Sequence, residues 1–114
     1  MTITEIQALL NAEVICGKDK VLQTVDRAFA SDLMSDVLTL KSHQIVLITG
    51  LCNIQTIRTM EMADINTVIF VRGKKATEDM INIAQENDMI ALQTEYSMFK
   101  TCGILWEAGI KPVF

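Results

Sequence analysis

Arg72, Lys74 and Lys75 form the one local cluster of positive charge in the sequence, and the other basic residues are scattered. The cluster stands just before a helical pattern that Thr77 can cap. The first backbone N–H groups of a helix are unpaired and favour negative charge, so a cationic loop at that place suits the recognition of an anion. Three other polar stretches follow apolar runs in the same way: Ser31-Asp32, Thr49 to Asn53, and Gln93-Thr94. The candidate binding residues are therefore Ser31, Asp32, Thr49, Gly50, Asn53, Arg72, Gly73, Lys74, Thr77 and Thr94. A phosphate-bearing ligand is the sharpest expectation. The plainer alternative is solvated turn chemistry without a ligand.

Catalytic machinery is not evident. Cys52 stands just before a helix, where a dipole can lower a thiol's pKa. Gly50-Leu51-Cys52-Asn53 resembles a nucleophile elbow in part, but Ile54 stands where the second glycine belongs. His43 is the only histidine. It precedes the same strand, which separates it from Cys52 by roughly 20 Å, so the two cannot pair within one subunit. Gly17-Lys18 and Gly73-Lys74 lack the upstream glycine and the following hydroxyl of a phosphate-cradling loop. Glu61 with Asp64, and Glu78 with Asp79, read as solvated helix faces. An enzyme using Cys52 is thus the weakest of three readings, and no catalytic residue is assigned.

The elements that must position these groups centre on Gln44–Asn53. Ile45-Val46-Leu47-Ile48 is a β-rich apolar run suited to a strand buried on both faces. Thr49-Gly50 breaks it, and Asn53 can cap a helix from Ile54 to Ala63. A strand at Thr67–Val71 follows, then a helix capped by Thr77 and running through about Gln85, a strand at Met89–Leu92, and a helix from Glu95 to Ala108. The strand centres recur about every 22 residues, as successive βα units with right-handed crossovers require. In the last helix Met98, Cys102, Leu105 and Trp106 read as buried, Phe99 reads as core, and Gly109 supplies the stop.

The opening is less regular. Thr2 and Glu5 fit a capping box for a helix bearing Ile3, Ile6, Leu9 and Leu10. Glu13–Cys16 reads as a short strand closed by a turn at Gly17–Lys20. Residues Val21 to Ala30 read as extended. Ser31 or Asp32 is expected to cap a short helix carrying Leu33, Met34, Val37 and Leu38, and Lys41-Ser42-His43 is expected to be a loop. Pro112 forbids a long final strand, and the tail Ile110–Phe114 is expected to pack on the body or on a partner.

Composition narrows the function. The 114 residues suit one domain spanning 1–114. A net charge of −4 argues against general nucleic-acid binding. Apolar runs are too short for a membrane span, and Glu5 and Gln7 interrupt any signal peptide. Cys16, Cys52 and Cys102 lie far apart, an odd number that suits reduced thiols in a cytoplasm. No metal site and no cofactor are expected. Mean hydropathy is high for a soluble chain, which favours self-association through an exposed face.

The order of these segments resembles the DRTGG domain family. The resemblance rests on Ile45-Val46-Leu47-Ile48-Thr49-Gly50, on Val68-Ile69-Phe70-Val71-Arg72-Gly73 and on Met89-Ile90-Ala91-Leu92. Ala12-Glu13-Val14, Ala30-Ser31-Asp32-Leu33-Met34 and Thr94-Glu95-Tyr96-Ser97-Met98-Phe99 also fit, so nearly the whole chain is covered. Where many relatives carry Gly-Asp-Arg after the central strand, this chain reads Gly50-Leu51-Cys52-Asn53, and the naming pentapeptide is absent. The resemblance implies a compact α/β domain, with a mostly parallel sheet flanked by helices, similar to the N-terminal domain of HPr kinase/phosphorylase. It also implies dimerisation and a regulatory role in which some relatives bind adenine nucleotides. The expected protein is a non-catalytic, homodimeric regulatory or ligand-sensing module. It would bind a nucleotide or small anion at the C-terminal ends of the strands. The main alternative is an interaction subunit that takes a protein partner and no small ligand.

Overall fold

The computed structural model describes residues 1–40 and 44–114. The expected loop at Lys41-Ser42-His43 lies outside the described residues. Helix α1 is Ile3–Leu10, and its capping box closes as expected: Thr2 accepts from the Glu5 amide while Glu5 accepts from the Thr2 amide. Strand β1, Glu13–Cys16, leads into a 3₁₀ turn at Lys18–Lys20. Strand β2 is Arg27–Ala30 and helix α2 is Met34–Val37. Then come β3 (Ile45–Thr49), α3 (Ile54–Ala63), β4 (Thr67–Phe70), α4 (Glu78–Glu86), β5 (Ile90–Gln93), α5 (Met98–Glu107) and a two-residue β6, Lys111–Pro112.

The strands form one sheet in the order β1-β5-β4-β3-β2-β6. Strands β2 to β5 and β6 run parallel to their neighbours, and β1 alone runs antiparallel, against β5. Every residue of β3, β4 and β5 is buried. That two-sided burial explains why these strands are uninterrupted apolar runs rather than alternating ones.

Helices occupy both faces. On one, Met34 and Val37 of α2, Ile57 and Met60 of α3, and Met80 and Ala84 of α4 pack on Ile45, Leu47, Val68 and Phe70. On the other, Ile3, Ile6 and Leu10 of α1 and Leu105 of α5 pack on Val46, Ile48, Ile69 and Val71. The chain steps from β2 to β5 in one direction with its connecting helices on one face. It then reverses through α5, on the opposite face, to place β6 beside β2.

Three expectations need correction. Val21–Asp26 is not part of a long strand. The carbonyls of Val21 and Gln23 accept from the Thr4 and Ile3 amides, which lie in the first turn of α1 and have no partner inside the helix. Neither Ser31 nor Asp32 caps α2; Leu33 occupies that position without a side-chain bond. The last helix begins at Met98, not Glu95, because Ser97 is its cap. The Tyr96 carbonyl accepts from the Arg72 amide instead of entering the helix.

The last helix brings a fourth correction. Leu105 is buried, but Trp106 is 65% and Phe99 89% exposed, so neither is core. Thr101 and Leu105 define the inward stripe at helical spacing, and Phe99 and Trp106 fall outside it.

Candidate functional site at the carboxyl edge of the sheet

The parallel strands β2, β3 and β4 end side by side, so the turns after them share one edge. β3 stops at Thr49, whose hydroxyl donates to Asp32 Oδ1 at 2.9 Å. The same carboxylate oxygen accepts from the Gly50 amide at 2.8 Å. Asp32 thus ties the β2 turn to the end of β3, and Ser31 turns inward locally, its hydroxyl accepting from the Leu33 amide. Asn53 accepts from the Thr56 amide and caps α3.

Arg72 leaves β4 in the left-handed region, with φ +61°. Its backbone is pinned there, since its amide donates to Tyr96 and that of Gly73 donates to Thr94. The side chain crosses to the β3 turn. Arg72 Nε and Nη2, and Asp32 Oδ1, each lie 3.7 Å from the point where a Cβ on Gly50 would stand. Gly50 is therefore the floor between a guanidinium and a carboxylate. Among the described residues Arg72 forms no ion pair. Lys74 comes close enough to Cys52 for its charge to act on the thiol.

Burial, the stronger influence, pushes the Cys52 thiol above its ordinary value, and Lys74 only partly offsets it. The expected activation by the helix dipole is reversed here: the half-buried sulfur is disfavoured as a thiolate.

The helix starts differ in charge. The first turn of α4 carries Glu78 and Asp79, which already answer its positive end. Thr77 caps that helix through the Met80 amide, and Gln93 Oε1 accepts from the Ala76 amide. The first turn of α3 holds no acidic residue. The Ile54 and Gln55 amides have no acceptor among the described residues. The Arg72 side chain thus lies against the Gly50 turn that precedes α3.

The structure brings Asp32, Thr49, Gly50, Asn53, Arg72 and Lys74 to one turn. Thr77 sits at the separate start of α4, and Ser31 is occupied beside α2. Gly73 faces the other way, against the Glu95 carboxylate. Thr94 is buried, donating to the Leu10 carbonyl and accepting from the Tyr96 amide, so it holds α1 to the sheet. The crevice between the α1–β1 turn and the loops after β4 and β5, bordered by Asn11, Glu13, Gly73, Lys75, Thr94 and Glu95, has a volume of about 110 Å³. Pockets for drug-sized ligands span roughly 300–1,000 Å³, so it is too small for a whole nucleotide. Sequence reasoning placed Gln93 at this edge but not among the binding residues; its side-chain amide joins β5 to the α4 start. Its place at the end of an apolar strand was the available signal. Among the described residues no group of three or more His, Cys, Asp or Glu side chains could hold a metal ion. Nor is any helix there long and apolar enough to cross a membrane.

No protein-family model matches the sequence, and no curated relative matches it. The fold is similar to the crystal structure of the CBS and DRTGG domains of the regulatory region of Clostridium perfringens pyrophosphatase. That protein was complexed with an activator, diadenosine tetraphosphate. The TM-score is 0.72 at 15% identity, over 98% of this chain. This chain spans 48% of the length of that one. The class defined is a compact α/β domain with a six-stranded, mostly parallel sheet, a fold also found in that regulatory region.

Proposed function

We propose that this chain is a non-catalytic, cytoplasmic, homodimeric regulatory module of DRTGG type. In this reading it senses a phosphate-bearing ligand, an adenine nucleotide among the candidates, at the carboxyl edge of its sheet. The supporting observation is the turn Gly50–Asn53, where Arg72 lies over a glycine beside the start of α3 and Lys74 is close by. A cation without a carboxylate partner, next to free helix amides, is a place for an anionic group. Asp32 fits a positioning role, since its carboxylate holds the Gly50 amide and the Thr49 hydroxyl in place. The open edge suits a phosphate group docked at the surface, with the rest of the ligand lying outside. The fold it shares with a nucleotide-activated regulatory region supports the same reading.

The test is a thermal-shift screen against adenine and guanine nucleotides, inorganic phosphate and acetyl phosphate, at low and physiological salt. A ligand at one hundred times its dissociation constant adds about 2.7 kcal/mol. For a domain of this size that raises Tm by roughly 8 °C or more. Arg72→Ala is expected to abolish most of the shift, and the shift should shrink as salt rises. A flat screen would sink the sensor reading. Weight would then pass to an interaction subunit with a protein partner, a reading favoured by the bare aromatic side chains on α5.

A further inference from the structure

Helix α5 carries a face that nothing in the described chain covers. Its exposed residues are Phe99, Lys100, Gly103, Trp106 and Glu107. Spaced i, i+1, i+4, i+7 and i+8, they share one side of the helix. Gly103 is at the centre, and a Cβ added there would meet no atom within 4 Å. Packing within the subunit therefore gives no reason for glycine at a position where it weakens a helix relative to alanine. Close approach of another backbone does give one.

We propose that this face is an interface between two copies of the chain, their α5 helices packed antiparallel across a two-fold axis at Gly103. The charge pattern selects both partner and direction. Phe99 and Lys100 lie in the first turn, and Trp106 and Glu107 in the last, symmetrically about Gly103. Antiparallel pairing sets the first turn of one copy against the last turn of the other. Phenyl then meets indole and Lys100 meets Glu107, while each positive helix start lies beside a negative helix end. Parallel pairing would instead oppose like charges. Among the described residues Glu107 forms no ion pair, and Lys100 lies 3.8 Å over the Tyr96 ring without a carboxylate partner. An apolar groove of about 160 Å³, bordered by Ala28, Ile48, Leu105, Trp106 and Pro112, runs alongside and extends the sticky surface. The assignment rests on the homodimer in the proposed function and is independent of its ligand, whose site lies at the start of α3 on the opposite face of the sheet.

The experiment is sedimentation velocity of the full chain over a concentration series. It compares wild type with Lys100→Glu, Glu107→Lys, the double reversal and Gly103→Leu, with circular dichroism as the check on folding. Wild type is expected to dimerise. Each single reversal should raise the dimer dissociation constant about tenfold, and the double should restore it. Gly103→Leu should separate the copies without lowering the helix content. A dimer indifferent to all four variants would overturn the α5 face and leave the homodimer standing. Single reversals that the double fails to rescue would overturn the antiparallel pairing. A wild type that stays monomeric at every concentration would overturn both face and dimer. In each case the ligand-dependent thermal shift of wild type reports on the sensor reading separately.

Discussion

Cys52 immediately precedes the cap of α3, where an exposed thiol would be acidified by the positive end of the helix. Its burial is the larger influence and pushes the thiol above the ordinary value of 9.0. The folded protein therefore holds Cys52 protonated through neutral pH. Alkylation by iodoacetamide should run about tenfold or more slower at pH 7.5 in the folded protein than in urea-unfolded chain, because the thiolate is the nucleophile. The folded-state rate should go on rising with pH beyond the point at which the unfolded chain's rate levels off, which mass-spectrometric peptide mapping would follow. Fast, selective labelling at neutral pH would bring back the enzyme reading. Arg72 is the contrasting residue. Its left-handed backbone, held by Tyr96, aims the guanidinium at Gly50. Its chemical type was legible in the sequence, but its target was not, since Thr77 lies five residues away in sequence and Gly50 meets it only when β3 pairs with β4.

Among the elements, the β3–α3 unit was legible to the residue. Its bounds follow from an apolar run, a Thr-Gly break and an asparagine cap, all local signals. The 3₁₀ turn after β1 depends on something less local. Gly17 has φ +83°, and a Cβ there would stand 2.8 Å from the Met89 carbonyl oxygen. That atom belongs to the backbone and cannot swing away. Gly17→Ala should therefore cost roughly 2 kcal/mol in urea unfolding, combining left-handed strain with the clash. Cost near zero would show that β1 can slide off β5. Helix α5 misled the reading for a physical reason. Its apolar residues cover more than one face, and periodicity cannot say which face the sheet takes. Thr101 and Leu105 went inward, so Trp106 was left outside.

For the whole molecule, the decisive event is the reversal after β5. Helix α5 carries the chain over the second face and delivers β6 to the far edge. There Lys111 donates its amide to the Asp26 carbonyl and Arg27 donates to the Pro112 carbonyl. Ile110 is buried, and the Phe114 ring meets that of Phe29 edge-on at 5.9 Å. The tail therefore pairs with the edge of β2 and buries Ile110, while Phe114 stays 84% exposed. Removing residues 110–114 should destabilise the chain by about 2–4 kcal/mol, the scale of one buried aliphatic side chain together with its hydrogen bonds. Chemical unfolding monitored by Trp106 fluorescence and circular dichroism would measure it. Loss below 0.5 kcal/mol would mean that the edge of β2 needs no cover.

Strand–turn–helix rhythm, the caps at Thr2, Asn53 and Thr77, the buried central strands and the α/β class all came from the order of residues. They depend on interactions within about ten positions of one another. The face each helix takes, the single antiparallel strand, the tether from Asp32 to Gly50 and the placing of Arg72 against Gly50 did not. Those depend on which strands become neighbours, and residues far apart in sequence meet only once the sheet has closed. Thr94 shows the division most plainly. As a hydroxyl at a strand end it reads as a ligand contact, yet the sheet turns it onto the Leu10 carbonyl, 84 residues away, where it holds α1 in place.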